Sequence, residues 1–156
     1  MTSGPWLIRA ADDGDVVRLR DWAVAMAWET EQKKLDPDTV RKGIRAVFDQ
    51  PGRGRYFIAE RGGEAAGTLM LTYEWSDWRN GDWWWIQSVY VAPSHRRLGV
   101  YAALYRHVHA RAEMTPRVCG LRLYVERDNA AAQRTYERLG MVDAGYRMYE
   151  APTPGP

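Results

Sequence analysis

The stretch from Trp83 to Tyr101 constrains this chain more than any other. Trp83 to Val91 is mostly aromatic or β-branched, as a strand requires, and Pro93 stops it. A short loop with two arginines and a glycine follows. From Arg97 to about Ala112 the apolar positions Val100, Leu104 and Val108 keep helical spacing. A strand feeding a helix through so short a loop belongs to a layered α/β architecture. The junction also has chemistry. The first amides of a helix lack intrahelical partners and sit at the positive end of its dipole. Gly99 lets the backbone come close to a phosphate, and Arg96 and Arg97 supply charge-assisted donors. An ordinary turn with surface arginines has the same local pattern. The loop has neither the Gly-Lys-Ser/Thr ending of a nucleotide P-loop nor the Gly-x-Gly of a dinucleotide fingerprint.

The rest of the chain extends this frame. Trp6 to Arg9 reads as a first strand. Asp12 or Asp13 caps a helix carrying Val16, Leu19, Ala23 and Met26. Asp36-Pro37 starts a second helix with Val40, Ile44, Val47 and Phe48 on its apolar face. Tyr56 to Glu60 and Ala65 to Tyr73 make a hairpin around Gly62-Gly63, and Glu74 to Asp82 is expected as a polar, Trp-studded loop. Val118 to Glu126 is a further strand. Asp128 or Asn129 opens a helix to Leu139, with Gly140 in the C-cap position. Met141 to Glu150 is a last extended segment. The expected class is α/β (α+β), with a partly antiparallel, partly parallel sheet in the order β-α-α-β-β-β-α-β-α-β. The length of 156 residues suits a single domain over 1–150, followed by a disordered Pro-rich tail at 151–156.

Charge divides unevenly. Residues 1–78 hold 11 basic and 13 acidic side chains, and residues 79–156 hold 11 and 7, so an anion is expected on the second half. The formal net charge of +2 gives no polycation on which to argue for nucleic acid. The lone Cys119 excludes an internal disulfide and a cysteine-built zinc site, so no metal is expected. No apolar run reaches membrane-spanning length, and Met1 to Pro5 shows no leader pattern, so a cytoplasmic protein without membrane association is expected.

A second constellation follows about 30 residues after the loop: Asn129, Ala132, Tyr136 and Gly140-Met141. Asn129 and Tyr136, seven apart, share one helix face. Each alone reads equally well as a capping Asn and a core Tyr. The two constellations together resemble the GNAT superfamily of acyl-CoA-dependent N-acyltransferases, and the element order matches over nearly the whole chain. The family's loop pattern falls on Arg96, Gly99 and Tyr101, where Tyr101 replaces the usual small residue. The resemblance implies acetyl-CoA as the acyl donor. Amides of Arg97, Leu98, Gly99, Val100 and Tyr101 would hold its diphosphate. Backbone at Val89, Tyr90 and Val91 would pair with its pantetheine arm in a gap between splayed parallel strands. Asn129 and Ala132 would contact the cofactor, and Tyr136 would protonate the departing thiolate as general acid. The family usually closes with two strands. Here the last is expected to be short, missing or supplied by a partner chain, hence a possible homodimer.

On the acceptor side, the position where some relatives carry a glutamate base aligns with Gln87, and an amide cannot be a base. Candidate bases are Glu29, Glu74 and Glu126. Trp75, Trp78, Trp83, Trp84 and Trp85 are either packing or an aromatic wall for a cationic acceptor, with Trp83 and Trp85 on one strand face. Trp28 and Glu29 are the other expected acceptor contacts. The expected acceptor is a small cationic amine. A peptide acceptor, or a non-catalytic acyl-CoA sensor, stays open.

Overall fold

A computed structural model describes residues 4–156. The expectation of no leader rests in part on Met1 to Ser3, which lie outside the described residues. Two compact units divide the chain, Met1–Leu123 and Tyr124–Pro156.

In the first unit, five strands form one sheet in the order β1-β2-β3-β4-β5: β1 Leu7–Ala10, β2 Arg55–Arg61, β3 Glu64–Ser76, β4 Gly81–Val91 and β5 Val118–Arg122. The first four are antiparallel neighbours and β5 joins β4 in parallel. Helices α1 (Val16–Glu31) and α2 (Pro37–Asp49) cover one face, and α3 (Val100–Met114) packs on the other. Val16, Leu19, Ile44, Tyr56 and Ile58 form the core beneath α1 and α2. Opposite them, Leu104 and Val108 of α3 are fully buried, and His107 meets the Phe57 ring edge-on at 5.3 Å.

Local chemistry explains the helix starts. The Asp36 carboxylate accepts from the Thr39 amide at 3.1 Å, and Pro37 opens α2. Asp12 and Asp15 form a reciprocal capping box around a 3-10 turn that leads into α1. Asp15 is 2% exposed, and it accepts from both terminal nitrogens of Arg9, from Arg18 and from the Asp12 amide.

Three expectations are corrected. The Trp-studded segment is not a long loop: β3 runs on to Ser76, β4 starts at Gly81, and only 77–80 turn, with Asn80 in the left-handed region. Cross-strand pairs Glu74–Trp83 and Trp75–Asp82 hold this extension. The strand expected to reach Glu126 stops at Arg122, where its pairing with β4 ends at Trp85. The final β of the expected order is absent among the described residues. Met141 to Glu150 has no strand partner, and an Asx turn from the Gly145 amide to the Asp143 carboxylate interrupts its extended run.

Candidate functional site

Two features of β4 create the site. The first is an open edge. Beyond Trp85, the six residues Ile86–Val91 continue without a partner on β5. The second is a bulge. Thr68 pairs with Tyr90 but Met70 pairs with Gln87, so Leu69 alone opposes Ser88 and Val89, and Ser88 takes φ +48. The direction of the strand's polar groups past the bulge follows from two contacts. The Ala92 amide donates to Ala66 of β3 at 2.8 Å, and the Tyr90 carbonyl lies against Gly67 of β3. By strand alternation, the backbone groups of Val89 and Val91 face the open edge and those of Tyr90 face β3. Tyr90 therefore contributes its side chain to the site.

The edge runs into the anion loop. Pro93–His95 make a single 3-10 turn, and Arg97 (φ +63) and Gly99 (φ +77) both enter the left-handed region. Gly99 is the N-cap residue of α3 and has no side chain to cap it. The Ala103 amide donates back to the Gly99 carbonyl at 3.1 Å, so the helical ladder starts there and the preceding amides have no intrahelical acceptor. Successive amides in such a turn make an anion-binding concavity. Trp6 fixes this geometry from below by donating from Nε1 to the Leu98 carbonyl at 2.9 Å. In a trans peptide the next N–H points the opposite way, so the Gly99 amide is aimed away from Trp6. The Arg61 guanidinium lies 3.6 Å over the Trp6 ring, and His95 meets that ring edge-on. Sequence reasoning placed Trp6 in a strand and missed this support, because its partner lies 92 residues away.

The two loop arginines differ. Arg97 is exposed and has no hydrogen-bond or ion-pair partner among the described residues. Arg96 turns back: Nε donates to the Val91 carbonyl at 3.0 Å, and a terminal nitrogen donates to Glu29 at 2.7 Å. Glu29, near the end of α1, also accepts from the Tyr90 hydroxyl at 3.1 Å. The Arg96 hydrogen bond holds the Glu29 carboxyl below the usual carboxylate range. Burial, followed by the Glu29 hydrogen bond, pushes the Tyr90 hydroxyl up. Val100 is buried, so it offers the loop only backbone, whereas Leu98 is half exposed. Tyr101 is half-buried beside Tyr105 along α3, with ring centroids 6.4 Å apart.

The sheet face shared with α1 and α2 also carries Thr72, Glu74, Trp83, Trp85 and Gln87, by pairing and alternation. The Gln87 amide donates to the Thr72 hydroxyl at 2.6 Å, which fixes its orientation. Glu74 is paired with Arg122. Trp83 carries the Arg122 guanidinium 3.9 Å from its ring centroid and the Arg79 guanidinium at 5.2 Å, so its π-cloud already has two cations. Trp85 is half-buried, Trp84 meets Tyr73 on the α3 face, and Trp28 is 55% exposed at the end of α1. Among the described residues no cluster of three or more His, Cys, Asp or Glu is placed to hold a metal, and no helix is long and apolar enough to cross a membrane.

The second unit carries α4 (Ala130–Arg138). Asn129 caps it by accepting from the Ala132 amide at 3.1 Å, and Tyr136 follows two turns on. Gly140, at φ +96, ends the helix, and the Met141 amide closes onto the Tyr136 carbonyl at 3.0 Å. Burial pushes the Tyr136 hydroxyl up, which keeps it protonated at neutral pH.

In the first unit, an unpaired strand edge thus leads into an uncapped helix N-terminus with a free guanidinium beside it. That arrangement suits an extended ligand whose backbone-like arm ends in an anion. Comparison with known proteins gives the same direction. The sequence profile of the acetyltransferase (GNAT) family matches residues 6–141. A mycothiol acetyltransferase from Mycobacterium sp. (strain MCS) is 33% identical over 153 residues, which cover 92% of this chain and 46% of that protein. The chain therefore spans about half the length of the curated relatives it matches. A possible acetyltransferase from Clostridium difficile 630 superposes with TM-score 0.90 and 37% identity, covering 97% of this chain and all of that one. A predicted acetyltransferase from Clostridium acetobutylicum, crystallised with acetyl-CoA, shares the fold at TM-score 0.75 and 14% identity, over 94% of this chain and 96% of that one.

Proposed function

The chain belongs to the acetyltransferase (GNAT) family, and from that premise we propose that it transfers an acetyl group from acetyl-CoA to the primary amine of a small molecule. The observation that carries this reading is the continuity of β4's open edge with the uncapped start of α3. Backbone at Val89 and the Val91 amide supply strand-like groups for the amide-bearing pantetheine arm, while the Val91 carbonyl is taken by Arg96. The amides of Leu98, Gly99, Val100 and Tyr101, with the Arg97 side chain, are the donors for the diphosphate. Acetyl-CoA supplies the activated thioester carbonyl. An amide donor at the β4 bulge suits the charge that develops on that carbonyl oxygen. Asn129 and Ala132 remain assigned to cofactor contact, and Tyr136, kept protonated, to general acid.

The acceptor side carries less negative charge than its sequence suggests. Glu29 and Glu74 are both committed to arginines, and two guanidiniums already lie near the Trp83 ring. A polycation gains little in such surroundings, so the acceptor is a small amine with a polar body. The name mycothiol acetyltransferase, carried by relatives of this chain, agrees with a small-molecule acceptor. Glu29, depressed by Arg96, is a weak base, since a general base works best with its pKa near the working pH. Gln87, locked by Thr72, orients the amine or a water. A thiol-release assay with acetyl-CoA over a panel of small amines tests the reading. The expected result is acceptor-dependent release of CoA. Tight CoA binding without release on any amine or peptide would replace the enzyme by an acyl-CoA sensor.

A further inference from the structure

We propose that Glu29 is a positioning residue that braces the cofactor loop through Arg96, and that Arg96 serves this brace and does not bind phosphate. The proposal rests on the acetyl-CoA reading above.

Two of the Arg96 nitrogens are committed. Nε is held by the Val91 carbonyl at 3.0 Å and a terminal nitrogen by Glu29 at 2.7 Å. The partners lie on the end of β4 and on α1, and neither is at the start of α3. The guanidinium also lies 5.5 Å from the Tyr90 ring centroid, and the Tyr90 hydroxyl closes the circuit by donating to Glu29 at 3.1 Å. Four groups thus join three parts of the unit: the last turn of α1, the end of β4 and the first residue after the 3-10 turn of the loop. A planar guanidinium held at two edges cannot swing as a lysine would. Arg97, with its backbone in the left-handed region and its side chain in solvent, is the guanidinium left to meet an anion.

The brace has a consequence for the reaction. Trp28 and Glu29, the expected acceptor contacts, lie in the last turn of α1, so on the reading above the same ion pair that sets the loop ties it to the acceptor side. Any shift of the α1 terminus on acceptor binding reaches the loop through Glu29 and Arg96. Coupling of this kind is reciprocal between the two ligands.

The pair is net neutral, which gives a clean test. CoA affinity is measured by calorimetry across a salt series for the wild type, Glu29→Ala, Arg96→Ala, the double variant and Arg97→Gln. Glu29→Ala is expected to weaken CoA about three- to fivefold, the upper range for a part-exposed ion pair. The double variant should be no weaker than Arg96→Ala, because the first deletion already breaks the brace. Its salt slope should match the wild type, since no phosphate contact is lost, while Arg97→Gln should flatten the slope. A double variant with a flattened slope would make Arg96 a phosphate ligand. Tighter CoA binding by Glu29→Ala would make the ion pair a competitor of the cofactor. Either result overturns the proposal. Amide hydrogen exchange of His95 and Arg96, whose amides donate to the Ala92 and Pro93 carbonyls, provides an independent readout without ligand. It should quicken in Glu29→Ala, and unchanged exchange refutes the brace even if CoA fails to bind. Failure of the wild type to bind CoA refutes the acetyl-CoA reading alone.

Discussion

Gly99→Ala is the substitution whose cost the geometry bounds most tightly. Gly99 sits at φ +77, and a Cβ built there meets no protein atom within 4 Å. Steric overlap therefore adds nothing, and the whole penalty is backbone strain. An L-residue in the left-handed region costs about 1–2 kcal/mol. Restricting the unfolded chain returns about 0.4–1 kcal/mol of this. The net loss is thus ~1 kcal/mol, or a fall in Tm of about 2–4 °C for a chain of this size. The loss divides between two measurements. If the loop holds its conformation, all of it appears as lower stability of the free protein. If the substituted loop relaxes, stability recovers and CoA must restore the turn, weakening affinity by up to about fivefold. Denaturant melts of the free protein and calorimetric CoA titrations, added together, should therefore recover ~1 kcal/mol. Gly99→Asn should be milder in the melt, since Asn tolerates this region better. A Gly99→Ala protein with unchanged stability and unchanged CoA affinity would refute a loop built on left-handed geometry.

Other perturbations test the remaining parts. Asp15→Asn removes a buried charge that accepts from Arg9, Arg18 and the Asp12 amide; it should cost about 2–4 kcal/mol in denaturant melts, because part-exposed arginines recover some hydration. The Asp15 carboxyl is held below its usual range against its own desolvation by the Arg9 hydrogen bond, so its stabilisation is full above about pH 4 and fades as pH falls through the folded value, and a melt-versus-pH series of Asp15→Asn should lose that acid-side slope. Gly120→Ala would place a Cβ 2.8 Å from the Trp83 ring and should cost about 1–3 kcal/mol through overpacking, with a visible change in Trp fluorescence. Tyr136→Phe should lower kcat by about 10²-fold while leaving CoA binding near the wild-type value, measured by thiol release and calorimetry side by side.

The parts of the account that were legible in sequence are those written in local signals. Asp36-Pro37 opens α2 where the pattern placed it and Asn129 caps α4, whereas α3 starts at Val100 and not at the expected Arg97, because Arg97 and Gly99 take left-handed backbone. What the sequence could not show depends on residues far apart in the chain. The Arg96 guanidinium belongs to Glu29 and the Trp6 indole to Leu98, across separations of 67 and 92 residues. The Trp-rich segment from Glu74 to Asp82 reads in sequence as a polar loop. It became strand because the flanking Glu74–Ser76 and Gly81–Trp83 could pair across a short turn. The last strand failed for the opposite reason: its composition permits extension, but it has no strand to pair with among the described residues. A carboxylate's role was equally hidden. Glu29 and Glu74 look like open acceptor contacts in sequence, and both are occupied by arginines in the fold.

The central claim is that the open edge of β4 and the uncapped start of α3 form one cofactor site, and calorimetric titration of the protein with CoA over a range of ionic strength tests it most directly. The account predicts one CoA bound per chain, with affinity that falls as salt rises because the diphosphate and Arg97 meet as charges. No binding at millimolar CoA, or binding that ignores salt and Arg97→Gln alike, would contradict it.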